Sequence, residues 1–136
     1  MRIVIDTNMI IASLIMDGTS RKILFNNKFE FVSPSYNLTE ILKYEKEIMH
    51  KAHVTHEEFK VLISLIFEKI EIIPKSAYGG FIEEAKDLIK DTKDVSFIAL
   101  CLALNADGIW SNDSHFFSQK RIKVFTTKDM ISLAKD

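Results

Sequence analysis

The sequence predicts an α/β fold: one domain, a three-layer α/β/α sandwich around a central parallel sheet of five strands. Three observations lead there. Short β-branched or aromatic runs alternate with longer helical patterns along all 136 residues, the order that gives parallel strands joined by crossover helices. The runs stop abruptly at Asp6, at Ser33-Pro34, at Pro74 and at Ser111-Asn112-Asp113, as strands do where the chain turns into a loop. No glycine-rich, proline-rich or charged linker divides the chain, and its length suits a single domain of about 100–200 residues. The whole chain, residues 1–136, therefore reads as one domain.

The first strand is Ile3-Val4-Ile5, followed by a helical pattern over residues 7–16 that Asp17-Gly18 stops. A short helix over residues 20–26 leads to a second strand, 29–32, closed by Ser33-Pro34. Leu38, Ile41, Leu42, Ile48 and Met49 then recur at near-helical spacing with charges between them, one amphipathic stretch ending near His53-Val54. Thr55 and Glu58 form a capping-box pattern for a helix carrying Phe59, Leu62, Ile63, Ile66 and Phe67. Residues 70–73 are a third strand, and 75–80 the most turn-like segment. A helix over 81–89 precedes a second one opened by Asp91-Thr92-Lys93-Asp94, apolar almost throughout to Leu104 and so expected to be covered on all sides. Ile109-Trp110 and residues 122–125 complete the strands, and a last helix starts near Thr126 or Thr127. No internal repeat is present.

Composition narrows the function. Eighteen basic and nineteen acidic residues leave a formal charge of −1. No global positive field draws in nucleic acid, so polyanion binding would need a local patch or a bound cation. Cys101 is the one cysteine; it excludes an internal disulfide framework and a cysteine-rich zinc site, and it fits a reducing cytoplasm. The longest purely apolar run, residues 97–104, is eight residues, against the roughly 20 a membrane helix needs. Asp6 interrupts the N-terminal region and no small-residue cleavage site stands out, so a signal peptide is not expected.

In open parallel sheets, ligands bind outside the carboxyl ends of the strands. Asp6 follows the first strand and Asp113 the fourth, Glu40 lies near the start of the helix after the second, and Asp94 opens the buried helix leading to the fourth. Each has an ordinary alternative. Asp6 and Asp113 could cap the helical segments that follow them. Glu40 could close a capping box with Asn37, and Asp94 could favour the positive end of its helix. Together they say more, because clustered carboxylates raise one another's pKa and cost stability unless a cation offsets them. An acidic cluster at one sheet edge implies a hard divalent ion, Mg²⁺ or Mn²⁺.

At four places the chain resembles the PIN domain family, the fold of VapC-type toxin ribonucleases. The pieces are Ile3-Val4-Ile5-Asp6-Thr7-Asn8, Thr39-Glu40, Lys93-Asp94-Val95-Ser96-Phe97-Ile98-Ala99-Leu100, and Ala106-Asp107-Gly108-Ile109-Trp110-Ser111-Asn112-Asp113-Ser114-His115-Phe116. Each is short, and the signal lies in their order and spacing. By that resemblance Asp6, Glu40, Asp94 and Asp113 match the family's acidic quartet, Asn8 a polar position supporting the first aspartate, and Ser111 the hydroxyl position before the last. Asp91 is a further acid beside the site, expected to cap the helix or to join the cluster.

The resemblance implies metal-dependent endoribonuclease activity, hydrolysis of RNA phosphodiester bonds with one or two Mg²⁺ or Mn²⁺ ions. Asp6, Asp94 and Asp113 are the expected metal ligands, while Glu40 is expected to orient the attacking water or reach a second ion. It also implies a toxin with a small antitoxin partner, and a homodimer, for which the apolar helix of residues 59–70 offers surface unless the core consumes it. Two other readings stay open: a catalytically silent module binding RNA or protein, and a metal-dependent DNA nuclease.

Candidate phosphate contacts are Arg21, Lys22, Lys28, Lys43, Lys46, Lys51, Lys120, Arg121 and Lys123, most of them expected on solvated faces. Tyr36, Tyr44 and Phe116 are candidates for stacking on unpaired bases. His50, His53 and His56 are spaced by three, and His50 with His53 could chelate a metal on one helix, but with no cysteine or acidic third ligand nearby they read as a solvated helix end. Asp6-Thr7-Asn8 has asparagine where a phospho-aspartyl phosphatase needs a second aspartate, and no P-loop or dinucleotide fingerprint occurs. Cys101 is expected to be an inert core thiol.

Overall fold

The structure, a computed structural model, describes residues 1–15 and 18–135. The chain runs β1 (Arg2–Ile5), α1 (Thr7–Ile15), α2 (Thr19–Leu24), β2 (Glu30–Pro34), α3 (Ser35–Lys43), α4 (Glu45–Ala52), α5 (His56–Phe67), β3 (Ile70–Ile73) and α6 (Lys75–Tyr78). It continues through α7 (Ile82–Leu88), α8 (Thr92–Leu104), β4 (Gly108–Trp110), β5 (Val124–Phe125) and α9 (Thr127–Lys135). All pairings in the five-stranded sheet are parallel, in the order β3-β2-β1-β4-β5. This is the expected three-layer sandwich.

Alternation along the strands divides the core in two. Ile3, Ile5, Phe31 and Trp110 face one layer, packed with Met9, Ile10 and Leu14 of α1, Phe59 and Ile66 of α5 and Met130 of α9. Val4, Val32 and Ile109 face the other, against residues 97–101 of α8 and Ala85 of α7. Ile3, Val4 and Ile5 are fully buried, as a central strand covered on both faces requires. The apolar body of α8 is buried from Val95 to Cys101 apart from Ser96, while Leu102, Ala103 and Leu104, expected to be covered as well, are half-buried. Asn105 closes the helix in the left-handed conformation at φ 49, which a short amide side chain tolerates.

Four boundaries differ from the sequence reading. The stretch predicted as one helix over residues 38–49 is two: Tyr44 interrupts it, its N–H closing on the Ile41 carbonyl at 3.1 Å. β2 continues through Pro34, paired with Ile73, because a proline in the last position leaves the rest of the ladder intact. Residues 75–81 are not a plain turn but α6 and a 3-10 turn. β5 is shorter than residues 122–125, since Gln119 holds Ile122 in the preceding loop, accepting from its N–H at 2.8 Å and donating to its carbonyl at 2.9 Å. The capping box of Thr55 and Glu58 forms as expected. The predicted stop of the first helix at Met16-Asp17 lies outside the described residues.

The chain passes outward from β1 to β2 and β3, then returns through α8 to β4 on the other side of β1. This reversal opens a crevice at the carboxyl ends of β1 and β4. At the opposite edge, Gly108 admits the close approach of β5: a Cβ there would lie 2.6 Å from the Lys123 carbonyl oxygen and 2.7 Å from the Phe125 ring. Gly108→Ala is therefore expected to destabilise the protein by about 1–3 kcal/mol, read from urea unfolding followed by the fluorescence of buried Trp110. An unchanged midpoint would show that β5 yields without cost.

Candidate metal-binding active site

Asp6, Glu40, Asp94 and Asp113 all line one cleft of 340 Å³ at the carboxyl edge of the sheet. Sequence separation of more than a hundred residues is cancelled by the pairing of β1 with β4, which aligns Ile5 with Trp110 and so sets the next residues side by side. The Ser111 hydroxyl fixes that junction. It donates to Asp6 Oδ2 at 2.8 Å and accepts from the Asp113 N–H at 3.0 Å, fully buried.

Glu40 is positioned differently. Asn37, buried one helical turn before it on α3, donates to the Ile5 carbonyl at 3.3 Å and to the Ser33 hydroxyl, and accepts from the Thr7 hydroxyl. The amide thus pins α3 to the ends of β1 and β2, and residues three apart share a helix face. Asn37 is not a capping-box residue. α3 begins at Ser35 after Pro34, so both Asn37 and Glu40 lie inside the helix, and their three-residue spacing serves the site instead. Beside Glu40 stands Tyr36, whose phenol is hydrogen-bonded to that carboxylate; burial first, then the bond and charge of Glu40, raise the phenol's pKa.

Two of the capping roles are real and coexist with the cleft. Asp91 is the N-cap of α8, accepting from the Lys93 N–H at 2.9 Å. Asp113 caps the 3-10 turn Ser114–Ser118, accepting from the His115 N–H at 2.9 Å. The Asp6 side chain accepts from the backbone at Asn8 and Thr7, and the Asn8 side chain is exposed at the cleft.

Electrostatics single out Asp94. It is 8% exposed, and its Oδ2 is buried with no hydrogen-bond partner among the described residues. Burial, then the charges of Asp91, Asp113 and Asp6, push its pKa up to about 6, with His115 pulling the other way. Burial also raises Asp6, against the hydrogen bond from Ser111. An orphaned carboxylate oxygen among like charges is the situation a cation relieves. The donors fit one: Asp91, Asp94 and His115 each bring an atom within 4.8 Å of the others.

His115 is the residue the sequence reading did not single out. Its signal was its place two after Asp113, where capping of the intervening turn directs it back to the cleft. Lys93, also in the cleft lining, was likewise not among the candidate phosphate contacts. Several that were named stand elsewhere. Lys28 precedes β2, and Arg121 and Lys123 precede β5, so all three fall at the amino edge of a parallel sheet, away from the acids. Arg121 pairs with Glu84 and Lys51 with Glu47. Arg21 donates to the carbonyls of Ser13 and Leu14 at the end of α1. Phe116 is fully buried, edge-on to Phe97, and has no face for a base; Tyr36 and Tyr44 do line the cleft. His50, His53 and His56 are exposed at the end of α4 and the start of α5. Cys101 is the expected core thiol, pushed up to about 12 by burial.

A family profile described as the PIN domain matches residues 4–132. The chain belongs to the PIN domain family. A comparison with curated proteins gives no match. Among solved structures, the PIN fold of this chain is similar to one in the crystal structure of VapBC2 from Rickettsia felis bound to a DNA fragment from their promoter. The TM-score is 0.68 at 18% identity, over 93% of this chain and 98% of that one. No helix among the described residues of this PIN domain is long and apolar enough to cross a membrane.

A carboxylate whose folded-state pKa lies above its unfolded value binds its proton more tightly when folded. Stability is then greatest below the unfolded pKa and is lost as pH rises through the folded one. For Asp94 that window runs from the ordinary 3.8 to about 6. The metal-free protein should melt at a lower temperature at about pH 7.5 than at about pH 5. Asp94→Asn should flatten this dependence and raise the melting temperature at the higher pH, and Mn²⁺ should restore the wild type but not the variant. Thermal melts at the two pH values test it; a variant less stable than wild type at the higher pH would contradict the buried-charge account.

Proposed function

We propose that this PIN domain is a divalent-metal-dependent endoribonuclease that hydrolyses RNA phosphodiester bonds, acting as the toxin of a toxin–antitoxin pair in the cytoplasm. The observation that carries the reading is the convergence of Asp6, Glu40, Asp94 and Asp113 on one cleft, around a buried carboxylate oxygen without a partner. A module that only binds has no need of four mutually repelling acids.

Asp6, Asp94 and Asp113 hold the cation, Mg²⁺ or Mn²⁺. When bound it supplies positive charge to the phosphoryl oxygens and acidifies water. Ser111 keeps Asp6 and Asp113 in register for this task. Glu40, half-buried and steadied by Tyr36, orients the attacking water and takes its proton on a carboxylate oxygen. Tyr36 and the exposed ring of Tyr44 flank the cleft at its α3 side and stack on unpaired bases. Lys93 meets a phosphate from the α8 side. An adjoining groove of 690 Å³, which shares Asp91 and His115 with the cleft and is bordered by Lys86 and Lys90, continues the path for the strand.

The resemblance to VapC-type toxins and the fold shared with the VapBC2 structure support a protein partner. Such an antitoxin closes the cleft most economically with an arginine paired to the carboxylates. Val61 and Leu65 on α5 are 61% and 46% exposed, which supports pairing of two copies through that helix.

RNA incubated with the purified chain should be cut in Mn²⁺ or Mg²⁺ and left intact in EDTA. Asp6→Asn and Asp94→Asn should each lower the rate by about 100-fold or more. Cleavage of single-stranded DNA in place of RNA would reassign the substrate, and RNA binding with no cutting in any divalent ion would favour the silent module.

A further inference from the structure

We propose that His115 is itself a ligand of the metal centre, so that the site offers a mixed nitrogen and oxygen donor set and selects Mn²⁺ over Mg²⁺. The inference rests on the metal-dependent reading above and goes beyond the carboxylate quartet. His115 Nδ1 stands 3.7 Å from Asp91 Oδ2, 3.7 Å from Asp94 Oδ2 and 3.6 Å from Asp113 Oδ1. Those separations exceed the roughly 2.7–3.2 Å of a nitrogen–oxygen hydrogen bond. They approach the roughly 3.0–3.5 Å between donors that share one ion at about 2.0–2.2 Å. Atoms of Asp91, Asp94 and His115 lie within 4.8 Å of one another around a gap, with Asp113 Oδ1 beside it and bonded to the His115 N–H.

A second observation points into the same gap. Asp94, 8% exposed, is among these donors, and the atom facing His115 is the Oδ2 that has no hydrogen-bond partner. The backbone that carries the ring is fixed at the cleft, since the His115 N–H is bonded to Asp113 Oδ1 at 2.9 Å. Its side chain is 60% exposed, so an entering ion meets it without unfolding of the core. Imidazole suits transition metals, whereas Mg²⁺ favours oxygen donors and holds its waters. An all-carboxylate centre takes either ion; one with His115 in the set leans to Mn²⁺.

The test uses the full chain, stripped with chelator and reloaded with Mn²⁺, and reads electron spin-echo modulation from ligand nitrogen beside calorimetric affinities for Mn²⁺ and Mg²⁺. Wild type should show nitrogen modulation, and His115→Ala should lose it. The same substitution should lower the preference for Mn²⁺ over Mg²⁺ by about tenfold, chiefly by weakening Mn²⁺. Because the spectroscopic reading is made on wild type, it does not depend on the variant's folding. Bound Mn²⁺ without nitrogen coupling overturns the proposal and leaves the carboxylate-only nuclease standing. A chain that binds neither ion overturns both. Modulation that persists in His115→Ala assigns the nitrogen to His50, His53 or His56 and likewise overturns the proposal.

Discussion

The parallel pairing of β1 with both β2 and β4 is the constraint from which the site follows. A parallel sheet sends every strand out at the same edge, so the residues that follow successive strands must meet there. Asp6 follows β1, Asp113 follows β4 after Ser111 and Asn112, and α3 carries Glu40 away from the end of β2. The core serves this arrangement. Ile3, Val4 and Ile5 are immobilised by apolar layers on both faces, which fixes the direction in which Asp6 leaves the strand. Ser111 and Asn37 then convert strand register into side-chain register, one bridging β1 to β4 and the other β1 and β2 to α3. Neither residue needs to touch substrate to matter for it.

That architecture carries a built-in conflict. Burial and repulsion act on Asp94 in the same direction, and the donors that could relieve it go elsewhere: the Lys93 N–H to Asp91, the His115 N–H to Asp113, and the Ser111 hydroxyl to Asp6. A fold selected for stability alone would place a neutral residue at position 94, since the helix end it occupies is already capped by Asp91. The local rule is broken where function is expected, and the surrounding sheet supplies the stability that tolerates it.

Much of this was legible in the sequence because it depends on patterns of short range. Strand ends at Asp6, Pro74 and Asn112 are marked by breakers, and the unbroken apolar body of α8 announces a covered helix. The acids could be placed at one edge because the alternation of strand and helix alone implies a parallel sheet. What the sequence hid are contacts that depend on three-dimensional closure. Asn37 looked like a capping residue until Pro34 moved the helix start to Ser35. Tyr44 carries no mark of a helix break, and the kink there is a tertiary outcome that leaves the ring at the cleft. The lysines and arginines were read by charge, whereas their usefulness depends on which edge of the sheet they occupy; Lys28, Arg121 and Lys123 differ from Lys93 in nothing the composition shows.

The same crowding gives a physical link between the cation and any protein partner. Divalent ion and arginine answer the same demand, positive charge at the oxygens of Asp94 and its neighbours, and a guanidinium can satisfy two carboxylate oxygens at once. A partner side chain that enters the cleft thus gains from the charges that hold the ion, and the two compete for Asp94 Oδ2 without any change of fold. With His115 as a ligand, as proposed above, its imidazole bears on that competition. Its ring nitrogen can coordinate an ion directly, whereas toward a guanidinium it can do no more than accept a single hydrogen bond. A centre that includes this imidazole therefore favours the metal more strongly than carboxylates alone would, and a partner must make up the difference with contacts beyond the acids, along the groove between α7 and the turn at Ser114–Ser118.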